Sequence, residues 1–293
     1  MFIATLIAKQ RLGAGDISAA EDALRAAGIE PRGQTWVEEG IACDLAFDEG
    51  PEAARNALEG LIRDADIVVQ PRAGRVKALL AADMDSTMIN VECIDELADY
   101  AGVKAEVAAV TEQAMRGELD FEAALDARVA LLRGLDEAMI DRCREERVTL
   151  MAGARALVQT MRANGAFCLL VSGGFTRFAE PVAASIGFDA VKSNLLDVTE
   201  GRLAGTVRKP IVGAEAKKQA MLEAVTARGL APGQAVAVGD GANDIPMLKA
   251  AGLGIAYRAK PAVAAVADAR IEANDLTALL YAQGYGRKAW VGD

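Results

Sequence analysis

Leu79-Leu80-Ala81-Ala82-Asp83-Met84-Asp85-Ser86-Thr87 is an apolar run that ends in two carboxylates spaced i, i+2, followed by two hydroxyls. The stretch from Val76 to Ala82 has the length and composition of a buried strand. Side chains two apart on a strand share a face, so Asp83 and Asp85 are expected to converge beyond its C-terminal edge. Open α/β sheets hold their ligands there. Two carboxylates that close repel each other unless a proton or cation intervenes, which points to Mg²⁺ and phosphate chemistry.

Two further strand ends follow. Phe167–Val171 runs into Ser172-Gly173-Gly174, where a hydroxyl and exposed backbone N–H groups precede a helix starting near Thr176. That combination suits phosphate oxygens. Ala235–Gly239 runs into Asp240-Gly241-Ala242-Asn243-Asp244, with a helix starting near Ile245. Asp240 offers another oxygen to a hard cation, and Asp244 is a plausible N-cap.

The ordered set Asp-Met-Asp-Ser-Thr, Ser-Gly-Gly, the lysine of Ala216-Lys217-Lys218 and Gly-Asp-Gly-Ala-Asn-Asp resembles the haloacid dehalogenase-like phosphatases, especially those acting on phosphoserine. The resemblance spans roughly Val76 to Gly286. It implies Mg²⁺-dependent hydrolysis of O-phospho-L-serine, the last step of serine biosynthesis. Residue types alone allow either Asp83 or Asp85 as nucleophile; the family assigns Asp83, with Asp85 as acid and base. It implies metal ligation by Asp83, the Asp85 backbone carbonyl and Asp240. Ser172 and Gly173 are implied to bind phosphate. Motif alignment selects Lys217 over its neighbour, and Asn243 either binds phosphate or orders its loop. Asp244 takes a supporting role. Glu92 matches an ammonium-binding Glu, Arg128 a carboxylate-binding Arg, and Met115 and Phe121 apolar cap positions. A related phosphotransferase to homoserine, or another small-molecule phosphatase, is the alternative enzyme reading. An amino-acid-sensing protein with a vestigial core is the alternative of another class, and the intact motif set argues against it.

Composition narrows the field. The 293 residues suffice for about two domains. At 52% hydrophobic and 25% charged, the chain has a globular composition. A net charge of −10 disfavours nucleic acid and anionic membranes. The absence of histidine excludes Ser-His-Asp catalysis, a phosphohistidine and histidine-ligated zinc. Cys43, Cys93, Cys143 and Cys168 form no CxxC pair and read as free thiols in a reducing cytosol. The N-terminus lacks a basic region before its short apolar stretch, and no segment is long enough to span a bilayer, so a cytoplasmic location is expected.

Residues 1–75 are expected to form a ferredoxin-like βαββαβ unit. Its parts are strand Phe2–Ala8, helix Ile17–Ala27, a hairpin of Thr35–Val37 and Ile41–Phe47, helix Pro51–Arg63 and strand Asp66–Gln70. The unit resembles ACT-like modules. A structural or homodimerising role and regulation by an amino-acid effector weigh equally. Residues 71–77 are expected to link it to the phosphatase domain, 76–293. That domain is expected to be α/β, a doubly wound parallel sheet, because strands alternate with helices. A helical insertion at about 90–150, punctuated by Gly102, Gly117 and Gly134, corresponds to the family's cap.

Overall fold

A computed structural model describes residues 1–116 and 118–292, apart from the side chain of Met115. The turn expected at Gly117 and the packing expected of Met115 lie outside the described residues.

The first unit comprises β1 (Phe2–Ala8), α1 (Ala14–Ala26), β2 (Gly33–Glu38), β3 (Ala42–Phe47), α2 (Pro51–Leu58) and β4 (Ala65–Pro71). β1 pairs antiparallel with β3 and β4, giving the order β2-β3-β1-β4. Helix α2 is shorter than expected from its periodicity. Glu59 leaves the helix in an extended conformation and Gly60 turns at φ +76°, which brings Glu59 to Arg270 at 2.6 Å.

One face of this sheet, with Ala4, Leu6, Cys43 and Leu45, packs under Ile17, Leu24 and Leu58 of the two helices. The other face carries Ile7, Ala42 and Val68 into the hydrophobic core of the rest of the chain. β1 is therefore buried on both sides, as its unbroken apolar composition requires.

The remaining elements are β5 (Leu79–Ala82), α3 (Cys93–Ala101), α4 (Lys104–Met115), α5 (Phe121–Leu131), α6 (Ala138–Arg147), α7 (Ala154–Ala163), β6 (Phe167–Phe175), α8 (Thr176–Ile186), β7 (Ala190–Asn194), β8 (Leu196–Thr199), β9 (Arg202–Val207), α9 (Ala214–Ala227), β10 (Ala235–Gly239), α10 (Ile245–Ala250), β11 (Leu253–Tyr257), α11 (Pro261–Ala264), β12 (Ala269–Ile271) and α12 (Ala278–Ala282). Six strands form a parallel sheet in the order β12-β11-β10-β5-β6-β7. The α/β fold is as the strand–helix alternation predicts. Leu80 and Ala82 face α7, α8 and α12, while Leu79 and Ala81 face α9 and α10.

Register places the site. Ala82 lies level with Leu170 of β6 and with Val238 of β10. Asp83, Ser172 and Asp240 therefore leave the sheet at one edge, on either side of the point where strand order reverses. Helices α3–α6 fill the expected insertion between β5 and α7. Asp120 caps α5 by accepting from the Ala123 N–H at 2.8 Å. Pro181 sits inside α8, and the Arg177 carbonyl it leaves without a helical donor accepts from Arg144 at 3.1 Å.

The segment between the two units is anchored. Arg75 pairs with Asp44 of β3 and donates to the carbonyls of Tyr281 and Ala282 at the end of α12. The Lys77 backbone N–H donates to Gln283 and its ammonium to the Gly233 carbonyl, each at 3.0 Å.

Candidate active site

Asp83 follows β5 directly, and its backbone N–H donates to the Val238 carbonyl at 3.0 Å. Its carboxylate Oδ1 accepts from Lys217 Nζ at 2.6 Å. Lys217 stands one turn into α9, fully buried, and also donates to Asp244 Oδ1 at 2.8 Å. Its neighbour Lys218 turns outward to Glu215 at 2.9 Å. The helix thus separates two lysines that sequence physics could not.

Asp83, Asp240 and Asp244 are buried, with one oxygen from each lying within 4.8 Å of the others. Burial and then Asp244 push the Asp83 carboxyl up, against the pull of Lys217. Burial and Asp244 push Asp240 up to about 6, and the Thr87 hydroxyl, donating to its Oδ1 at 2.9 Å, pulls it back. Burial alone would lower the Lys217 pKa; Asp244 and Asp83 reverse that and hold it above the ordinary lysine range. Three carboxylates against one ammonium leave an excess of carboxylate oxygens, which fits a hard divalent cation.

The Asp85 side chain lies apart from that cluster. Its Oδ1 is buried and has no hydrogen-bond partner among the described residues. A Cβ on Gly174 would sit 2.8 Å from its Oδ2, so only glycine lets the β6 turn approach it. Burial and next Glu92 push Asp85 up to about 7. A carboxyl with that affinity can give and retake a proton near neutrality.

Ser172 is fully buried, and its Oγ accepts from the Gly174 N–H at 2.9 Å. Asn243 lies over Gly241 and close to Gly173, while Asp244 Oδ2 accepts from the Gly241 N–H at 3.0 Å. Phe121 reaches down from the start of α5. Added Cβ atoms on Gly173 and Gly213 would each lie 3.2 Å from its ring. The cap therefore touches the loops that carry Ser172 and precede Lys217.

Arg128 on α5 is half-buried and donates to its own helix at the Ala124 carbonyl, 3.2 Å away. Among the described residues it makes no ion pair within 4.0 Å, although Asp95 and Glu92 act on it electrostatically. Glu92 is exposed at the start of α3 and accepts from Ser86 Oγ at 2.8 Å.

Two supporting side chains escaped the sequence reading. In the sequence Thr87 is only a hydroxyl that closes the first motif, yet it donates to Asp240 across 153 positions. Asn194, buried at the end of β7, donates to the Gly173 carbonyl at 2.8 Å and accepts from the Val212 N–H at 2.7 Å. It ties the Ser172 loop to the loop before α9. A polar residue closing the strand Ala190–Asn194 was its sole sequence signal.

Comparison with known proteins gives the family. Residues 80–249 match the haloacid dehalogenase-like hydrolase family, and the chain belongs to it. A phosphoserine phosphatase of Albidiferax ferrireducens is 48% identical over 207 residues, covering 69% of this chain and 87% of the relative. A haloacid dehalogenase family hydrolase from Salmonella enterica subsp. enterica serovar Typhi superposes with a TM-score of 0.85 at 29% identity, covering 96% of this chain and 98% of its own. An unliganded probable phosphoserine phosphatase from Vibrio cholerae gives 0.78 at 32%, covering 98% and 88%. Within the family, this chain is a phosphatase.

Proposed function

We propose that this enzyme hydrolyses O-phospho-L-serine to L-serine and phosphate with Mg²⁺, as the last step of serine biosynthesis. The observation that carries the substrate is Arg128 of the cap, half-buried and, among the described residues, in no ion pair within 4.0 Å, with Asp95 and Glu92 in electrostatic reach of it. Phosphoserine needs a cation for its carboxylate and an anion for its ammonium, set apart from the phosphate. A guanidinium fork suits a carboxylate.

Asp83 attacks phosphorus, forming an aspartyl-phosphate as the bond from phosphorus to the serine oxygen breaks. Asp85 gives its proton to that oxygen, then takes one from the water that cleaves the intermediate. Lys217, Ser172 and the Gly173 N–H hold phosphate oxygens, and Asn243 steadies the loop opposite. Asp83, Asp240 and the Asp85 carbonyl would hold Mg²⁺, with Asp244 in the same carboxylate cluster. Bound Mg²⁺ would offset the repulsion between the phosphate dianion and the carboxylates. Phe121 shields the site from water.

Four buried free cysteines fit a reducing cytoplasm. No helix among the described residues is long and apolar enough to cross a membrane.

The test is phosphate release from phosphoserine, with and without Mg²⁺, by the wild type and by Arg128→Ala. Release should need the metal. Arg128→Ala should cut kcat/KM for phosphoserine about 10- to 150-fold, the loss expected for a hydrogen-bonded charge, while phosphoethanolamine turnover changes far less. No metal-dependent release, or equal losses on both substrates, refutes the assignment.

A further inference from the structure

The serine of the first motif turns toward the cap. Ser86 follows Asp85 directly and adopts φ +56°, in the left-handed region that costs a non-glycine residue energy. Its backbone N–H donates to the Val91 carbonyl at 3.3 Å, and its hydroxyl donates to Glu92 Oε1 at 2.8 Å. The two bonds close the segment from Ser86 to Glu92 at its base. The Met84 carbonyl, just ahead of it, accepts from the N–H groups of Thr87, Met88 and Ile89, so the loop is braced against the end of the motif strand.

Glu92 opens α3 yet makes no capping bond through its side chain. A glutamate in that position has several rotamers open to it. Ser86 selects among them. We infer that Ser86 is a positioning residue for substrate choice: its hydroxyl fixes Glu92 through Oε1 and leaves Oε2 for the ammonium of the substrate. This inference rests on the reading of Glu92 given above.

The left-handed φ fits that role. It brings the serine hydroxyl back over its own loop toward Glu92 while Asp85, one residue earlier, stays beside Gly174. One short segment thus serves the reacting oxygen with Asp85 and the amine end of the substrate with Ser86 and Glu92. Glu92 is in electrostatic reach of Asp85, Asp240 and Arg128.

The experiment measures a discrimination ratio, kcat/KM for phosphoserine over kcat/KM for 3-phosphooxypropionate. The analogue keeps phosphate and carboxylate but lacks the amine. Ser86→Ala removes the hydroxyl and keeps the backbone strain. Ser86→Gly removes the hydroxyl and relieves the strain. Both should lower the ratio about tenfold, the size expected from losing one hydrogen bond to a charged group in a partly solvated site. In a Glu92→Gln background the same substitutions should change the ratio less than about twofold, because the two residues act as a unit.

A ratio that falls in Ser86→Ala but recovers in Ser86→Gly would assign the effect to backbone strain and overturn the inference. An unchanged ratio in both variants, with Glu92→Gln still lowering it, would overturn the role of Ser86 and leave Glu92 standing. An unchanged ratio in Glu92→Gln alone would overturn both.

Discussion

Lys217→Met replaces the ammonium that the buried carboxylates share with an apolar side chain of similar length. Its Nζ lies 2.6 Å from Asp83 and 2.8 Å from Asp244, with no solvent exposure. Removing one partner of a buried ion pair leaves an uncompensated charge, at a cost of about 3–5 kcal/mol. In a chain of this size each kcal/mol moves Tm by about 2–4 °C, so a fall of roughly 6–20 °C is expected at pH 8 in EDTA. The effect has a definite pH sign. Asp83 already holds its proton more tightly folded than unfolded, and loss of the ammonium strengthens that. The folded variant then binds more protons than the unfolded chain, so its stability rises as pH falls and the deficit shrinks toward pH 5. Mg²⁺ should restore part of the Tm by binding only the folded cluster. Thermal melts followed by circular dichroism at pH 5 and 8, with and without Mg²⁺, read all three effects. A Tm within about 2 °C of the wild type at pH 8 in EDTA, or a deficit that ignores pH, refutes the electrostatic account.

Gly174→Ala should fold and lose about 100-fold in kcat, because its Cβ would push against Asp85 Oδ2 at 2.8 Å and displacing a catalytic group by about 1 Å is costly. Steady-state kinetics beside a melting curve decide it. Asp85, held at about 7 by burial and by Glu92, should give kcat/KM a decline as pH rises through neutrality. Glu92→Gln removes one like charge and should move that decline to lower pH; an unmoved profile argues against Asp85 as the acid. A chain starting at Arg72 should melt well below the full chain, since Ile7, Ala42 and Val68 leave a shared core and Arg75 loses Asp44. Equal melting temperatures would show that the first unit adds no stability.

The parts of the fold that could be read in advance share one property: the local sequence carries their cause. β5 and β10 are continuous apolar runs that stop at a polar or glycine turn, whereas β6 does not end at Val171 as its apolar run predicts but continues through Ser172-Gly173-Gly174 to Phe175. The four cap helices α3–α6 fall within the helical insertion expected at about 90–150. β12 has three residues and α12 five, too short for a period to show. Val76 is apolar in sequence but half-exposed before β5 begins, because Lys77 is drawn to Gln283 and Gly233. Glu92 and Arg128 are a further limit. Each looks like an ordinary helix charge until the cap folds back, and only the family resemblance singled them out. Thr87 and Asn194 act through partners distant in the chain, and no local pattern announces such bonds.

The two-sided burial of β1 bears on how the chain acquires its structure. Asn274 donates to the Ile7 carbonyl across 267 positions, and Asp66 accepts from the N–H groups of Glu272, Ala273 and Asn274. During synthesis, the first strand can gain its helical cover early, but its second face stays open until residues 272–283 have been made. Such distant contacts slow folding, because a long loop must close before any of them forms. An apolar face waiting that long is open to chaperones and to other nascent chains. A premature stop or a proteolytic cut before residue 272 would therefore strand an unfinished N-terminal unit, sticky on one side.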